Sequence, residues 1–238
     1  MSFMNRMKKM IFPIAILLTA ISLTLFWAPQ DPPASQTAAT PLSGRRIVLD
    51  AGHGGYDSGA VGTETGVLEK DLNLAVALKL RSLLVQGGAS VVMTREQDQA
   101  LCPEDTPEGQ KKKTDMAMRA NIIYEAEPDI VLSIHMNKFT LRQYYGAQVF
   151  YSQDDSTGQG AVLAKFIQRS MRDSLDPDNK RQEKSGDYYI LRMLPASVLI
   201  ECGFLSNPQE SDKLKQTDYQ KQMALAIAGG LLDVYQCE

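Results

Sequence analysis

The sequence predicts an α/β fold, a single domain with a roughly six-stranded, mostly parallel central sheet flanked by helices and preceded by an N-terminal hydrophobic segment. From Ile47 onward, short apolar runs alternate with stretches of helical periodicity, the pattern of strand–helix–strand units. At 238 residues the chain is long enough for one sizeable core, and at roughly 100–200 residues per domain it leaves little room for a second. There is no internal repeat that would suggest a solenoid or propeller.

The first element stands apart from that core. Arg6, Lys8 and Lys9 precede an uncharged apolar run from Ile11 to Trp27, which reads as an export signal. The run falls just short of the ~20 residues that comfortably span a bilayer. No small-x-small cleavage site follows it directly, so for residues 1–27 a retained membrane anchor is favoured over a signal peptide. Residues 28–44 begin APQDPPASQTAATPLS; rich in Pro, Ala, Ser and Thr, they read as a flexible linker. Residues 45–238 remain for the folded domain.

Within it the expected strands are Ile47–Asp50, Ser90–Thr94, Ile130–Ile134, Ala147–Tyr151, Tyr188–Arg192 and Val198–Glu201. The expected helices are Lys70–Gln86, Thr114–Glu125, Gly160–Ser174, Pro208–Lys215 and Tyr219–Tyr235. On the first helix Leu74, Ala77, Leu78, Leu80 and Leu84 recur at three- and four-residue steps, giving one apolar face to lay on a sheet. Asn207-Pro208 supplies an N-cap followed by a first-turn proline, and Asp218 offers a similar cap to the last helix. Arg95 to Lys113, with Pro103, Pro107 and Gly109, fits neither period and reads as a surface loop.

Net charge is −3 with both signs mixed along the chain, so nothing invites nucleic acid. The three cysteines, Cys102, Cys202 and Cys237, are too few and too scattered for a disulfide framework or a Cys-based zinc site. The chemistry must therefore come from other residues. The chain has only two histidines, His53 in IVLDAGHGG and His135 in IVLSIHMN, and each follows an apolar strand-like run. Ligands gather beyond the carboxyl ends of strands in α/β sheets, so the two can converge although they are distant in sequence. A lone histidine there is commonly structural. Two at equivalent positions, one of them beside Gly52, Gly54 and Gly55, point to a metal.

A catalytic zinc usually takes three protein ligands, and a carboxylate is the common third. Glu69 in GVLEKDLNL opens the first helix and can point into the same crevice; alone it would read as a first-turn acid favouring the helix dipole. Glu201 in SVLIECGFLSN follows a third strand-like run, where a bystander acid would be costly to bury. A carboxylate beside a metal site can take a proton from water and pass it to a leaving amine. Its structural alternative is pairing with a base such as Arg119. Asp50 and Asn137 could orient the histidines or hold substrate. DAGHGG lacks the Lys-Ser/Thr of a phosphate loop. Cys202 has no third histidine to activate it and reads as packing.

These motifs together resemble the zinc-dependent N-acetylmuramoyl-L-alanine amidases, the type-3 amidases of bacterial walls. The resemblance runs from about Arg46 to Tyr235 through IVLDAGHGGYDSGAVG, LEKDLNLAVALKL, VVMTR, RANIIYEAEPDIVLSIHMN and YYILRMLPASVLIECGFLSN. It implies zinc on His53, Glu69 and His135, Glu201 as the essential glutamate, and residues 45–238 as the zinc amidase catalytic domain. The implied substrate is peptidoglycan, cut at the amide between N-acetylmuramic acid and L-alanine without a covalent intermediate. A bare catalytic domain behind an apolar N-terminal segment is similar to the germination-specific amidases, which implies an extracytoplasmic protein, secreted or anchored, facing cell wall or spore cortex. An activating protein partner is left open. Arg95–Lys113 and Asp176–Gly186 depart from the family pattern, and with them substrate selection. The competing readings are a zinc peptidase or carboxypeptidase on another wall amide, which needs a base to grip a terminal carboxylate, and a non-catalytic wall-binding protein, which should have lost one of the four site residues.

Overall fold

The computed structural model describes residues 40–194 and 196–236, so the expected signal or anchor, most of the linker and Cys237 lie outside it. The elements are β1 (Arg46–Ala51), α1 (Glu69–Gln86), β2 (Ser90–Met93), α2 (Lys111–Ala126), β3 (Ile130–Asn137), β4 (Gln148–Ser152), α3 (Gln159–Leu175), β5 (Lys184–Gly186), β6 (Ser197–Phe204), α4 (Pro208–Leu214) and α5 (Thr217–Gln236). They form a six-stranded sheet in the order β2-β1-β3-β6-β4-β5. The four strands β2, β1, β3 and β6 are parallel, β4 runs antiparallel to β6, and β5 pairs parallel with β4.

Alternation along each strand divides the interior in two. Ile47, Leu49 and Ala51 of β1, Ile130, Leu132 and Ile134 of β3, and Val198, Ile200 and Cys202 of β6 join one large cluster with apolar residues of α1, α3 and α5. The alternate residues Val48, Val131 and Leu199 join a smaller cluster with Ile123 of α2 and with Ile190 and Leu191. Toward the carboxyl ends of the parallel strands this second face turns polar, to Asp50, Ser133, His135 and Glu201, and there the site is built.

Three expectations need correction. Tyr188–Arg192 is not a strand: Tyr189–Arg192 is a 3₁₀ turn, and the sheet edge is taken by Lys184–Gly186. Adjacent residues of a strand face opposite ways, whereas Ile190 and Leu191 are both buried on one cluster, which a tight helical turn allows. The edge strand KSG has no apolar pattern to betray it. Asp218 is not a cap, because the last helix starts at Thr217 and the Asp218 carboxylate instead accepts from Lys221 Nζ at 3.1 Å. Asn207 does cap its helix, accepting from Glu210 N at 3.1 Å, with Pro208 at the first turn. The end of the expected linker is folded: Leu42 is 1% exposed and packs in the large cluster.

Candidate active site and metal centre

Two parallel strands bring the histidine of one and the glutamate of the other side by side. His135 near the end of β3 is in register with Glu201 on β6, and both face the polar side of the sheet. His53 arrives from the loop after β1. Its backbone adopts the left-handed region (φ 62°), which costs a non-glycine residue about 1 kcal/mol. Buried arginines hold that loop. Arg119 donates from Nη2 to His53 O (2.8 Å) and from Nη1 to Ala51 O (2.9 Å). Arg95 donates from Nε to Ala51 O (2.8 Å) and from Nη2 to Gly52 O (3.1 Å).

Glu69 is the first residue of α1 and is 4% exposed, so it is not a solvated helix-start acid. Its Oε1 lies 2.9 Å from His135 Nδ1 and 3.2 Å from His53 Nε2, and accepts from Met136 N at 3.1 Å; its Oε2 accepts from Ala60 N at 2.7 Å. Asp57 Oδ2 sits 2.8 Å from His53 Nδ1. A carboxylate on the far nitrogen of an imidazole is the usual way a metal-binding histidine is oriented. Two glycines make room. A Cβ on Gly52 would lie 2.2 Å from His135 Nε2, and one on Gly59 would lie 2.6 Å from Glu69 Oε2 and 2.8 Å from His53 Cδ2.

Among the described residues His53, Glu69 and His135 are the group able to hold a metal ion, their donor atoms all within 4.8 Å of one another. The electrostatics favour a cation there. Burial opposes protonation of His53, but Asp57 and Glu69 outweigh it and raise its pKa to about 9. Burial likewise penalises the Glu69 charge, yet the two imidazoles hold its carboxyl well below the usual range. Two imidazole nitrogens and one carboxylate oxygen are also the donor set of many catalytic zinc sites.

Glu201 behaves differently. Burial, reinforced by the Glu69 charge against the two histidines, pushes its pKa up to about 7. Its Oε2 is buried without a hydrogen-bond partner among the described residues. The structural alternative fails, because Arg119 pairs with Asp50 Oδ1 (2.6 Å) and Asp115 Oδ2 (2.8 Å) instead. Asp50 therefore orients no histidine directly; it holds Arg119, and its other oxygen accepts from Ser133 Oγ at 2.6 Å. The Asn137 side chain touches neither histidine by a hydrogen bond. Cys202 is fully buried on the opposite face of β6, and burial pushes its thiol far up, so it is packing.

Sequence reasoning missed Asp57, Arg95 and Asn73, whose Nδ2 donates to Gly52 O at 3.0 Å. Only Arg95 left a signal, as the polar end of an apolar run in VVMTR.

The family model for N-acetylmuramoyl-L-alanine amidase matches residues 47–233. The germination-specific N-acetylmuramoyl-L-alanine amidase of Bacillus subtilis (strain 168) is 39% identical over 194 residues, 81% of this chain and 80% of that protein. The CwlD amidase of Clostridioides difficile, solved in complex with the GerS lipoprotein, superposes with a TM-score of 0.77 at 40% identity, over 81% of this chain and 98% of that one. The amidase AmiC2 of Nostoc punctiforme gives 0.68 at 31%, over 82% and 99%. By this family match the chain is a member of the N-acetylmuramoyl-L-alanine amidases, hydrolases of the amide that joins N-acetylmuramic acid to L-alanine.

Proposed function

We propose that the protein cuts this amide in spore-cortex peptidoglycan, outside the cytoplasm, with His53, Glu69 and His135 holding zinc and Glu201 as the catalytic carboxylate. The observation that carries the catalytic assignment is Glu201 itself, a carboxylate with a buried, unpartnered oxygen in register with His135. Zinc bound there supplies a Lewis acid that polarises a carbonyl and acidifies water. With a pKa near 7, Glu201 can accept a proton from the attacking water and return it to the leaving alanine nitrogen. Asp57 keeps the His53 ring turned so that Nε2 faces the site, while Met136 N and Ala60 N fix the Glu69 carboxylate. Burial and the Glu201 charge keep the Tyr188 hydroxyl protonated, and Tyr188 lines the cleft that holds His53 and His135.

The cortex assignment is supported by the germination-specific relative, and the export reading by the basic flank and apolar run of residues 1–27. Among the described residues no helix is long and apolar enough to cross a membrane, so anchoring rests on that segment alone. The CwlD complex with a lipoprotein supports a protein partner for this chain as well.

The test is digestion of purified cortex peptidoglycan by the zinc-loaded protein, with products read by mass spectrometry. Peptides with a free N-terminal alanine and peptide-free muramic acid are expected. Shortened stems still joined to sugar would replace the amidase reading with a peptidase. Glu201→Gln should retain zinc and lose on the order of 10²–10⁴ in turnover; loss of the metal instead would overturn its assigned role.

A further inference from the structure

The two segments that fit the family pattern poorly are where substrate selection is to be sought, and one of them, Asp176–Gly186, carries a cation that the chemistry above does not use. Arg181 precedes the edge strand β5 at the same end of the sheet as the site. Its Nε donates to Tyr145 O at 2.7 Å, and its Nη1 donates to Gln148 Oε1 at 3.0 Å. Gln148 pairs in register with Glu201, so the backbone of the residue that positions Arg181 lies one strand spacing, about 4.8 Å, from the backbone of Glu201. The guanidinium lies over the Phe204 ring, 4.4 Å from its centroid, and 6.0 Å from that of Tyr144. Together with Asn137 and Phe139 these residues line a cleft of about 290 Å³ beside the strand ends that carry His135 and Glu201.

This wall is built in advance. The buried Asn179 accepts from Arg181 N at 2.9 Å through Oδ1 and donates to Ala147 O at 2.9 Å. The buried Glu210 accepts from Gly146 N (2.8 Å) and Phe204 N (2.7 Å), tying the end of the loop that carries Phe139 and Tyr144 to β6. Phe139 N donates to Ser206 Oγ at 3.1 Å. No carboxylate among the described residues forms an ion pair with Arg181; the buried Glu210, held by its two backbone donors, is near enough only for its charge to be felt. Arg181 Nη2 and the Asn137 carboxamide are hydrogen-bonding groups with no partner among those residues, and they face one cleft with an aromatic floor.

We propose that Arg181 is a specificity-determining residue that binds a carboxylate on the peptide side of the scissile amide. The reasoning rests on the amidase function given above: of the two halves of a muramyl peptide, the sugar offers hydroxyl and acetamido groups, and the peptide offers the carboxylates. A pre-positioned guanidinium with no ion-pair partner and its Nη2 open to the cleft selects the second half. The rings of Phe204 and Tyr144 keep the guanidinium flat and partly desolvated, which strengthens its contact with an anion.

The test compares two synthetic muramyl dipeptides, one with a free carboxylate on the residue after alanine and one with that group as the carboxamide, using the zinc-loaded full chain. The wild type should favour the carboxylate in kcat/KM by on the order of 10- to 100-fold, carried mainly by KM. Arg181→Gln should bring that ratio to about one, and Arg181→Lys should keep part of it. A ratio of one in the wild type, or an unchanged preference in Arg181→Gln, overturns the proposal while leaving the amidase reading intact. No turnover of either compound or of cortex peptidoglycan by the wild type overturns the amidase reading and this one with it, and turnover of the cortex alone overturns only this one.

Discussion

Gly52→Ala isolates the geometry of the metal centre from the stability of the fold. The added methyl carbon would lie 2.2, 2.3 and 2.8 Å from Nε2, Cε1 and Cδ2 of His135, against ordinary contacts of 3.4–4 Å. The ring must therefore retreat by roughly 1 Å, the displacement that costs about 100-fold when it falls on a reacting group. The backbone cannot supply that movement. His135 lies on β3, hydrogen-bonded to β1 on one side and β6 on the other, and Gly52 N itself donates to Ile134 O at 3.1 Å. Only rotation of the imidazole relieves the clash, and rotation breaks its 2.9 Å contact with Glu69 Oε1. Gly52 is not among the glycines with positive φ, so alanine brings no backbone strain of its own, only overpacking of about 1–3 kcal/mol. The expected variant is folded, binds zinc at least about tenfold more weakly, and has lost about 100-fold or more in kcat/KM. Metal content after dialysis against a competing chelator, thermal melting by circular dichroism and release of N-terminal alanine measure the three. Gly109→Ala, whose Cβ meets nothing within 4 Å and whose φ is not positive, is the control and should change none of them. Wild-type zinc affinity and turnover in Gly52→Ala would refute the placement of His135 in the site.

Asp57→Ala should weaken zinc binding by about 10- to 100-fold and lower the pKa of His53 in the metal-free protein, because Asp57 is one of the two carboxylates that raise it; histidine NMR titration would show the shift. Asp50 predicts an acid limb of stability. Burial alone would raise its pKa, but Arg119 and the Ser133 hydroxyl outweigh this and hold it at about 2. A depressed carboxylate contributes stability that is fully present above its unfolded value of 3.8 and is lost as pH falls through that value toward about 2. The loss should be on the order of 2 kcal/mol, read from denaturant midpoints at pH 5 and pH 2.5, and Asp50→Asn should flatten that part of the profile. Arg119→Met should destabilise the fold by about 3–5 kcal/mol, since it strands buried Asp50 and Asp115; a melting temperature within a degree of wild type would contradict this.

The strands and helices that cover the sheet were legible because their burial is periodic. β1, β3 and β6 read as continuous apolar runs since both of their faces are covered, and the runs of β3 and β6 end at His135 and Glu201. The same logic exposed His53, His135 and Glu201, because polar residues at three strand ends must share one crevice. What stayed hidden is what periodicity does not govern. β5 is two polar residues and a glycine recruited to an edge by β4, and the run after it is apolar because it folds back as a turn onto the sheet. Asp57 is four residues beyond His53 in a glycine-rich loop, and the positive φ angles of His53, Gly54 and Gly55 turn the chain so that its carboxylate meets the ring.

The same distinction separates the catalytic chemistry from its selectivity. Of the groups proposed for catalysis, His135 and Glu201 sit on regular strands and Glu69 at a helix start, where spacing reports position, and His53 follows β1 by two residues. Arg181 sits in an irregular segment, and its place depends on Asn179 reaching back to Ala147 and on Glu210 holding Gly146 and Phe204. Each of those links joins residues whose proximity no local pattern announces. An insertion between Asp176 and Gly186 would therefore leave the donor set of His53, Glu69 and His135 intact while removing the guanidinium from the cleft, so selectivity can change here without disturbing the reaction.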